Sequence, residues 1–192
     1  MFVPEIWINV AEITGIPELR LTTRDISDYN VLMNKRLGIL EANNLKLKDI
    51  QEVIARMEPL EGAVELVEWI RSRTQLIVVS DTFVQFAGPL MKKLGWPTLF
   101  CNTLKVAADG SVAGYTLRQE DGKRKSVEAL RTLNYRVLAF GDSYNDITML
   151  EAADSGILFR PPETIRTEFP AFPACEDYET LKGLIEAFLE NK

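Results

Sequence analysis

The chain has 192 residues, 22 Lys and Arg against 28 Asp and Glu, a net charge of −6 and no histidine. A 46% hydrophobic and 26% charged composition fits one globular domain or a core with a modest insertion, and excludes disordered and fibrous classes. The acidic balance argues against nucleic-acid or anionic-membrane partners, and the missing imidazole removes Ser-His-Asp, Cys-His and His-ligated zinc chemistry.

From Pro4 to Ile13 the apolar residues Ile6, Trp7, Val10, Ala11 and Ile13 share one helical face, with Pro4 suited to the first turn and Gly15 to the stop. Similar periodicity predicts helices over Val31–Leu40 and Leu47–Met57, and no β-branched run of strand length interrupts these first sixty residues. Pro59 and Gly62 punctuate the chain before a helix carrying Val64, Leu66, Val67 and Ile70. The pattern then changes. Leu76–Val79 is a short apolar run ending in Ser80-Asp81-Thr82, as in a strand buried on both faces. A helix over Phe83–Leu94 and a short strand over Thr98–Cys101 follow. Leu104–Val106 and Val112–Leu117 flank Asp109-Gly110 and predict a β-hairpin.

Beyond the hairpin, Lys125–Leu133 reads as a helix and Val137–Phe140 as a second buried strand running into Gly141-Asp142-Ser143. A short helix over Asn145–Ala153, a strand over Gly156–Phe159 and a closing helix over Tyr178–Leu189 complete the pattern. The segment Arg160–Cys175, rich in Pro and Phe, is expected to be an ordered surface connection. Alternating strands and helices imply an α/β fold with a mostly parallel sheet. Cys101 and Cys175 belong to no C-x-x-C pair and are expected to be free thiols in a reducing cytosol. No apolar run approaches the roughly 20 residues of a membrane span. Met1-Phe2-Val3-Pro4-Glu5 lacks the basic and apolar regions of a secretory signal, so a soluble, cytoplasmic protein is expected.

In open parallel sheets ligands bind beyond the carboxyl ends of the strands. Ser80-Asp81-Thr82 and Gly141-Asp142-Ser143-Tyr144-Asn145-Asp146 occupy such ends. Asp142 and Asp146 stand four apart, where a helical turn can put them on one side, and suit a hard cation such as magnesium. Ser80 and the helix start after it suit a phosphate oxygen. Taken singly, Asp142 reads equally as a strand-end turn and Ser80 as a helix cap.

Together the two clusters resemble the haloacid dehalogenase superfamily of phosphotransferases. Ser80 matches its second motif, a hydroxyl at a strand end, and Gly141–Asp146 matches its fourth, G-D-x-x-N-D. The superfamily's lysine falls at Lys123, with Lys125 as the other candidate. Val3–Trp7, Thr23-Arg24-Asp25-Ile26, Pro59–Val64 and Gly156–Phe159 further resemble the family of bifunctional phosphoserine phosphatase/phosphoserine–homoserine phosphotransferases. The resemblance implies a Rossmann-like core over residues 59–192 and a small helical cap over residues 1–58. It also implies Mg2+ held by Asp142, with Asp146 behind it, and Ser80 and Lys123 as catalytic groups. Glu5 and Arg36 match the positions that contact the substrate ammonium and carboxylate; Asp81 and Asn145 complete the expected substrate contacts. Serine and threonine biosynthesis would be the setting, with a small-molecule partner, and a homodimer through the hairpin is left open.

One expected motif is missing. The first motif, D-x-[DE]-G-[VT]-[LV] at the end of the first core strand, would stand just before Val3, where the chain has Met1-Phe2. The nucleophilic Asp implied by the resemblance is therefore absent, and Asp81 and Asp142 are placed for other work. The first core strand is absent with it, and a truncated chain is the expected explanation. Loss of the nucleophile removes the route that splits phosphoryl transfer into two easier steps. The alternative class is a non-catalytic protein that binds a phospho-amino acid.

Overall fold

In a computed structural model, which describes residues 1–191 apart from Arg24 and Ser27, the start of the chain is helical as its periodicity predicts. Arg24 of the segment Thr23–Ile26 therefore lies outside the described residues. Helix α1 spans Ile6–Thr14 and ends at Gly15, whose left-handed φ of 70° lets its N–H reach the Ala11 carbonyl. Glu5 sits just ahead of the helix, at its N-cap. Helix α2 spans Tyr29–Ala42, two residues longer at each end than its apolar pattern. Asp28 caps it by accepting from the Asn30 and Val31 amides at 2.8 and 3.1 Å. Helix α3 covers Leu47–Arg56, and α4 covers Ala63–Arg71 and buries Ala63, Leu66, Val67 and Ile70.

The chain packs as two compact units, one of residues 2–118 and one of Met1 with residues 119–191. The first unit adds β1 (Ile77–Phe83), α5 (Val84–Lys93), β2 (Thr98–Val106) and β3 (Val112–Thr116) to the four helices. Two expectations need correction here. The strand expected to stop before Ser80 continues to Phe83, because Phe83 is buried and pairs again with β2 at Asn102. The short strand at 98–101 and the first hairpin strand at 104–106 are one continuous strand. No Gly or Pro breaks Thr98–Val106, and its first half pairs parallel with β1 while its second half pairs antiparallel with β3. The hairpin tip is tied to α3: the Leu47 amide donates to the Gly110 carbonyl at 3.0 Å and Lys46 Nζ to the Asp109 carbonyl at 2.8 Å.

The second unit contains α6 (Gly122–Thr132), β4 (Leu138–Gly141), α7 (Ile147–Ala152), β5 (Ser155–Phe159), α8 (Glu163–Glu168), β6 (Ala174–Cys175) and α9 (Tyr178–Glu190). Its strands run parallel in the order β4-β5-β6. Val127, Ala139, Ile147, Met149, Leu150, Leu158 and Ile165 form a buried cluster between the sheet and its helices. The stretch Arg160–Cys175, expected as an ordered surface connection, holds α8 and β6. Ile165 anchors the short helix by burial, and Cys175 joins the sheet beside Phe159. Six-residue and two-residue elements lie below what periodicity can register.

Both sheets end on a strand from the carboxyl-end clusters. Among the described residues β1 is an edge of β1-β2-β3 and β4 an edge of β4-β5-β6. Cys101 and Cys175 are both free and buried, and burial raises both thiols, Cys175 to about 11. Among the described residues no helix is long and apolar enough to cross a membrane.

Candidate active site

The second unit carries Lys123, Asp142, Asn145 and Asp146. β4 ends at Gly141, and Tyr144–Asp146 forms a single 3-10 turn before α7. This tight turn brings Asp146 back over the strand end. Its Oδ2 accepts from the Asp142 amide at 3.0 Å, the Ser143 amide at 3.1 Å and Ser143 Oγ at 2.9 Å. Its Oδ1 accepts from Lys123 Nζ at 2.8 Å. Both side chains are nearly excluded from solvent, at 12% exposure for Lys123 and 8% for Asp146. Burial works against the charged carboxylate, but the Lys123 charge and the converging hydrogen bonds outweigh it and hold Asp146 below its ordinary range.

Gly141 makes this geometry physically available. A β-carbon at residue 141 would stand 2.7 Å from Asp146 Oδ2 and closer still to the Cβ and Cγ of that side chain. Only glycine lets the carboxylate fold onto the strand end. Lys123 is in the first turn of α6, which begins three residues earlier than its apolar pattern, and it is Lys123 rather than Lys125 that pairs with Asp146. Asn145 is exposed and its Oδ1 accepts from Ser143 Oγ.

Asp142 differs from Asp146. Its carboxylate makes no hydrogen bond or ion pair among the described residues, although its amide is engaged. Magnesium keeps several waters and takes only one or two carboxylates alongside a substrate phosphate. Asp142 fits as one such ligand, whereas Asp146 is already committed to Lys123 and the turn. Among the described residues no three His, Cys, Asp or Glu side chains gather as a complete metal cluster.

The first unit carries Glu5, Arg36, Ser80 and Asp81. Arg36, on α2, is only 6% exposed. Its Nη2 donates to the Leu21 carbonyl at 2.7 Å, its Nη1 meets Met33 Sδ at 3.6 Å, and its guanidinium lies 4.6 Å from the Trp7 ring centroid. Its Nε is buried without a partner. Burial pushes the guanidinium down to about 10, while the charges of Tyr29 and Glu5 act the other way. Glu5, on the exposed start of α1, is thus electrostatically coupled to Arg36. A buried guanidinium with an unused donor is unsatisfied as it stands, and an anionic group brought to it would relieve that cost.

Ser80 and Asp81 sit in an irregular stretch of β1. Val79 pairs with Phe100 and Phe83 with Asn102, so four steps along β1 match two along β2. The surplus residues bulge from the ladder. Ser80 Oγ accepts from the Thr82 amide at 3.2 Å inside this bulge. The Asp81 carbonyl accepts from Tyr29 Oη at 2.8 Å and Asn102 Nδ2 at 3.2 Å. Tyr29 and Asn102 were not legible as site residues in the sequence, and Trp7 and Ser143 were not singled out there. Ser143 and Trp7 lie inside matched segments, whereas Asn102 fell in the gap expected between two strands.

A family model for haloacid dehalogenase-like hydrolases matches residues 5–154. The chain is 58% identical over 182 residues to the phosphoserine phosphatase ThrH of Pseudomonas aeruginosa, covering 95% of this chain and 89% of that protein. It is 56% identical over 182 residues to a phosphoserine phosphatase of Pseudomonas syringae pv. tomato, covering 95% of this chain and 77% of that one. A crystal structure of a phosphoserine phosphatase in its apo form superposes with a TM-score of 0.77 at 25% identity, covering 95% of this chain and 93% of the other.

Proposed function

The chain belongs to the haloacid dehalogenase-like hydrolase family, and from that premise we propose that its sites recognise phosphoserine for removal of the phosphoryl group. The observation that carries the substrate assignment is Arg36, a buried guanidinium with an unpartnered Nε beside the charge of Glu5. An amino acid phosphate presents the complementary pair, a carboxylate for Arg36 and an ammonium for Glu5. Residues 1–58 act in this reading as the substrate-recognition cap and residues 59–192 as the core. Ser80 Oγ donates to a phosphoryl oxygen, Asp81 and Asn145 line the substrate, and Lys123 offsets phosphoryl charge. Asp146 fixes the Lys123 ammonium, so the cation needs no reorganisation when phosphate arrives. Asp142 is the residue that would hold magnesium, which when bound supplies positive charge to the phosphoryl oxygens. Transfer of the phosphoryl group to homoserine instead of water would use the same groups, differing only in the acceptor.

A second reading rests on the same recognition residues, Arg36 and Glu5, which need no chemistry to hold a ligand. On that reading the 192-residue chain binds a phospho-amino acid without turning it over. Both readings require selective recognition. Calorimetric titration with phosphoserine, serine and a phosphate monoester lacking an amino acid should show phosphoserine bound most tightly. Arg36→Ala should remove the advantage of phosphoserine over the simple ester. Equal affinity for both phosphates in the parent chain would overturn the substrate assignment.

A further inference from the structure

We propose that Tyr29 and Asn102 are positioning residues that hold the Ser80–Thr82 bulge in its phosphate-binding shape. The inference rests on the phosphoserine reading for its ligand, but the geometry stands on the bulge itself.

A stretch of strand that leaves its ladder loses the backbone partners that would fix it. Between the paired positions Val79/Phe100 and Phe83/Asn102 the β1 backbone must be held by something else. Two side chains converge on the Asp81 carbonyl at the middle of the bulge. Asn102 approaches from β2 and is 6% exposed. While its Nδ2 donates to Asp81, its Oδ1 accepts from the Arg118 amide at 3.0 Å, so both ends of the amide are engaged and its rotation is fixed. Tyr29 approaches from the first turn of α2, with its phenol at 2.8 Å. Its ring is held edge-to-face against Tyr115, with centroids 6.1 Å apart. Burial first, and then the Asp81 charge, raise the Tyr29 phenol, so it remains a protonated donor at every working pH.

Neither contact is needed to form the regular part of the sheet. Both act on the residues between the paired positions, which include Ser80 and the Thr82 amide that engages its oxygen. Tyr29 and Arg36 are two helical turns apart on α2. One helix therefore carries the fastener of the phosphate loop at its start and the buried guanidinium farther along.

The test uses the 192-residue chain and its Tyr29→Phe and Asn102→Ala variants, titrated with inorganic phosphate and with phosphoserine and followed by backbone-amide NMR. Tyr29→Phe keeps the ring and removes only the donor. The Ser80, Asp81 and Thr82 amide signals should move in the free variant. Affinity for phosphate and phosphoserine should fall together by about three- to tenfold, the weight of one net hydrogen bond. Asn102→Ala should fall further, whereas Arg36→Ala should weaken phosphoserine alone. A folded Tyr29→Phe variant whose bulge signals and phosphate affinity match the parent overturns the proposal. A parent that binds inorganic phosphate with Tyr29 dependence, yet shows no preference for phosphoserine, sinks the phosphoserine reading while sustaining the positioning role. A parent that binds no phosphate overturns both.

Discussion

Replacing Gly141 by alanine perturbs the candidate site through a single methyl group. The added β-carbon would sit 2.7 Å from Asp146 Oδ2 and nearer to the carbons of that side chain, far inside van der Waals contact. The obstacle is a carboxylate held by Lys123 at 2.8 Å and by three donors on its other oxygen, so it cannot swing away freely. If the turn shifts while keeping the ion pair, the cost is that of overpacking, about 1–3 kcal/mol. If the carboxylate is expelled, the buried ion pair with Lys123 is broken and the cost rises to about 3–5 kcal/mol. Gly38 supplies the control. It lies inside α2 with nothing within 4 Å of its would-be β-carbon, so Gly38→Ala should stabilise by about 0.5–1 kcal/mol through helix propensity and lost unfolded-state entropy. Urea unfolding of both variants beside the parent measures the difference. A Gly141→Ala variant within about 0.5 kcal/mol of the parent would refute the reasoning, because it would mean that the Asp146 carboxylate is free to move.

Asp146→Asn should cost about 3–5 kcal/mol at neutral pH by breaking the buried ion pair with Lys123. The folded carboxyl titrates below its ordinary 3.8, so its stabilisation is present above that value and is lost as pH falls through the depressed one; urea midpoints of parent and variant should converge in acid, and a constant gap would contradict the pairing. Asp142→Ala should weaken magnesium binding in calorimetry while leaving the melting temperature in metal-free buffer nearly unchanged, since its carboxylate supports no contact among the described residues. An unchanged magnesium affinity would remove it as a ligand.

The helices α1 to α4 were legible because each repeats its apolar residues at helical spacing over two turns or more. The apolar runs ending at Val79 and Phe140 gave the parallel strands for the same kind of reason. What failed depended on partners distant in sequence. Asn102 and Thr103 look like a polar break between two strands, yet β2 runs through them because β1 and β3 each take a different half. The extension of β1 to Phe83 is invisible locally, since it needs the bulge and the burial of Phe83. G-D-x-x-N-D marked Asp142 and Asp146 as chemistry-bearing, but not that one is committed and the other open. That distinction depends on the space left by Gly141 and on where α6 delivers Lys123. The pairing of Tyr29 with Asp81 spans more than fifty residues and had no signature in either segment.

The most direct measurement is phosphate release from phosphoserine with magnesium, comparing the 192-residue chain with the same chain preceded by a β-strand ending in D-x-E-G. The added strand would offer backbone partners to a sheet edge, and its Asp would supply the missing attacking carboxylate. The 192-residue chain should release no phosphate above the uncatalysed background. The extended chain should melt at a higher temperature and hydrolyse phosphoserine in preference to a simple phosphate monoester, with the preference lost in Arg36→Ala. A cooperatively folded extended chain that leaves phosphoserine intact, or an unextended chain that hydrolyses it equally fast, would contradict the account.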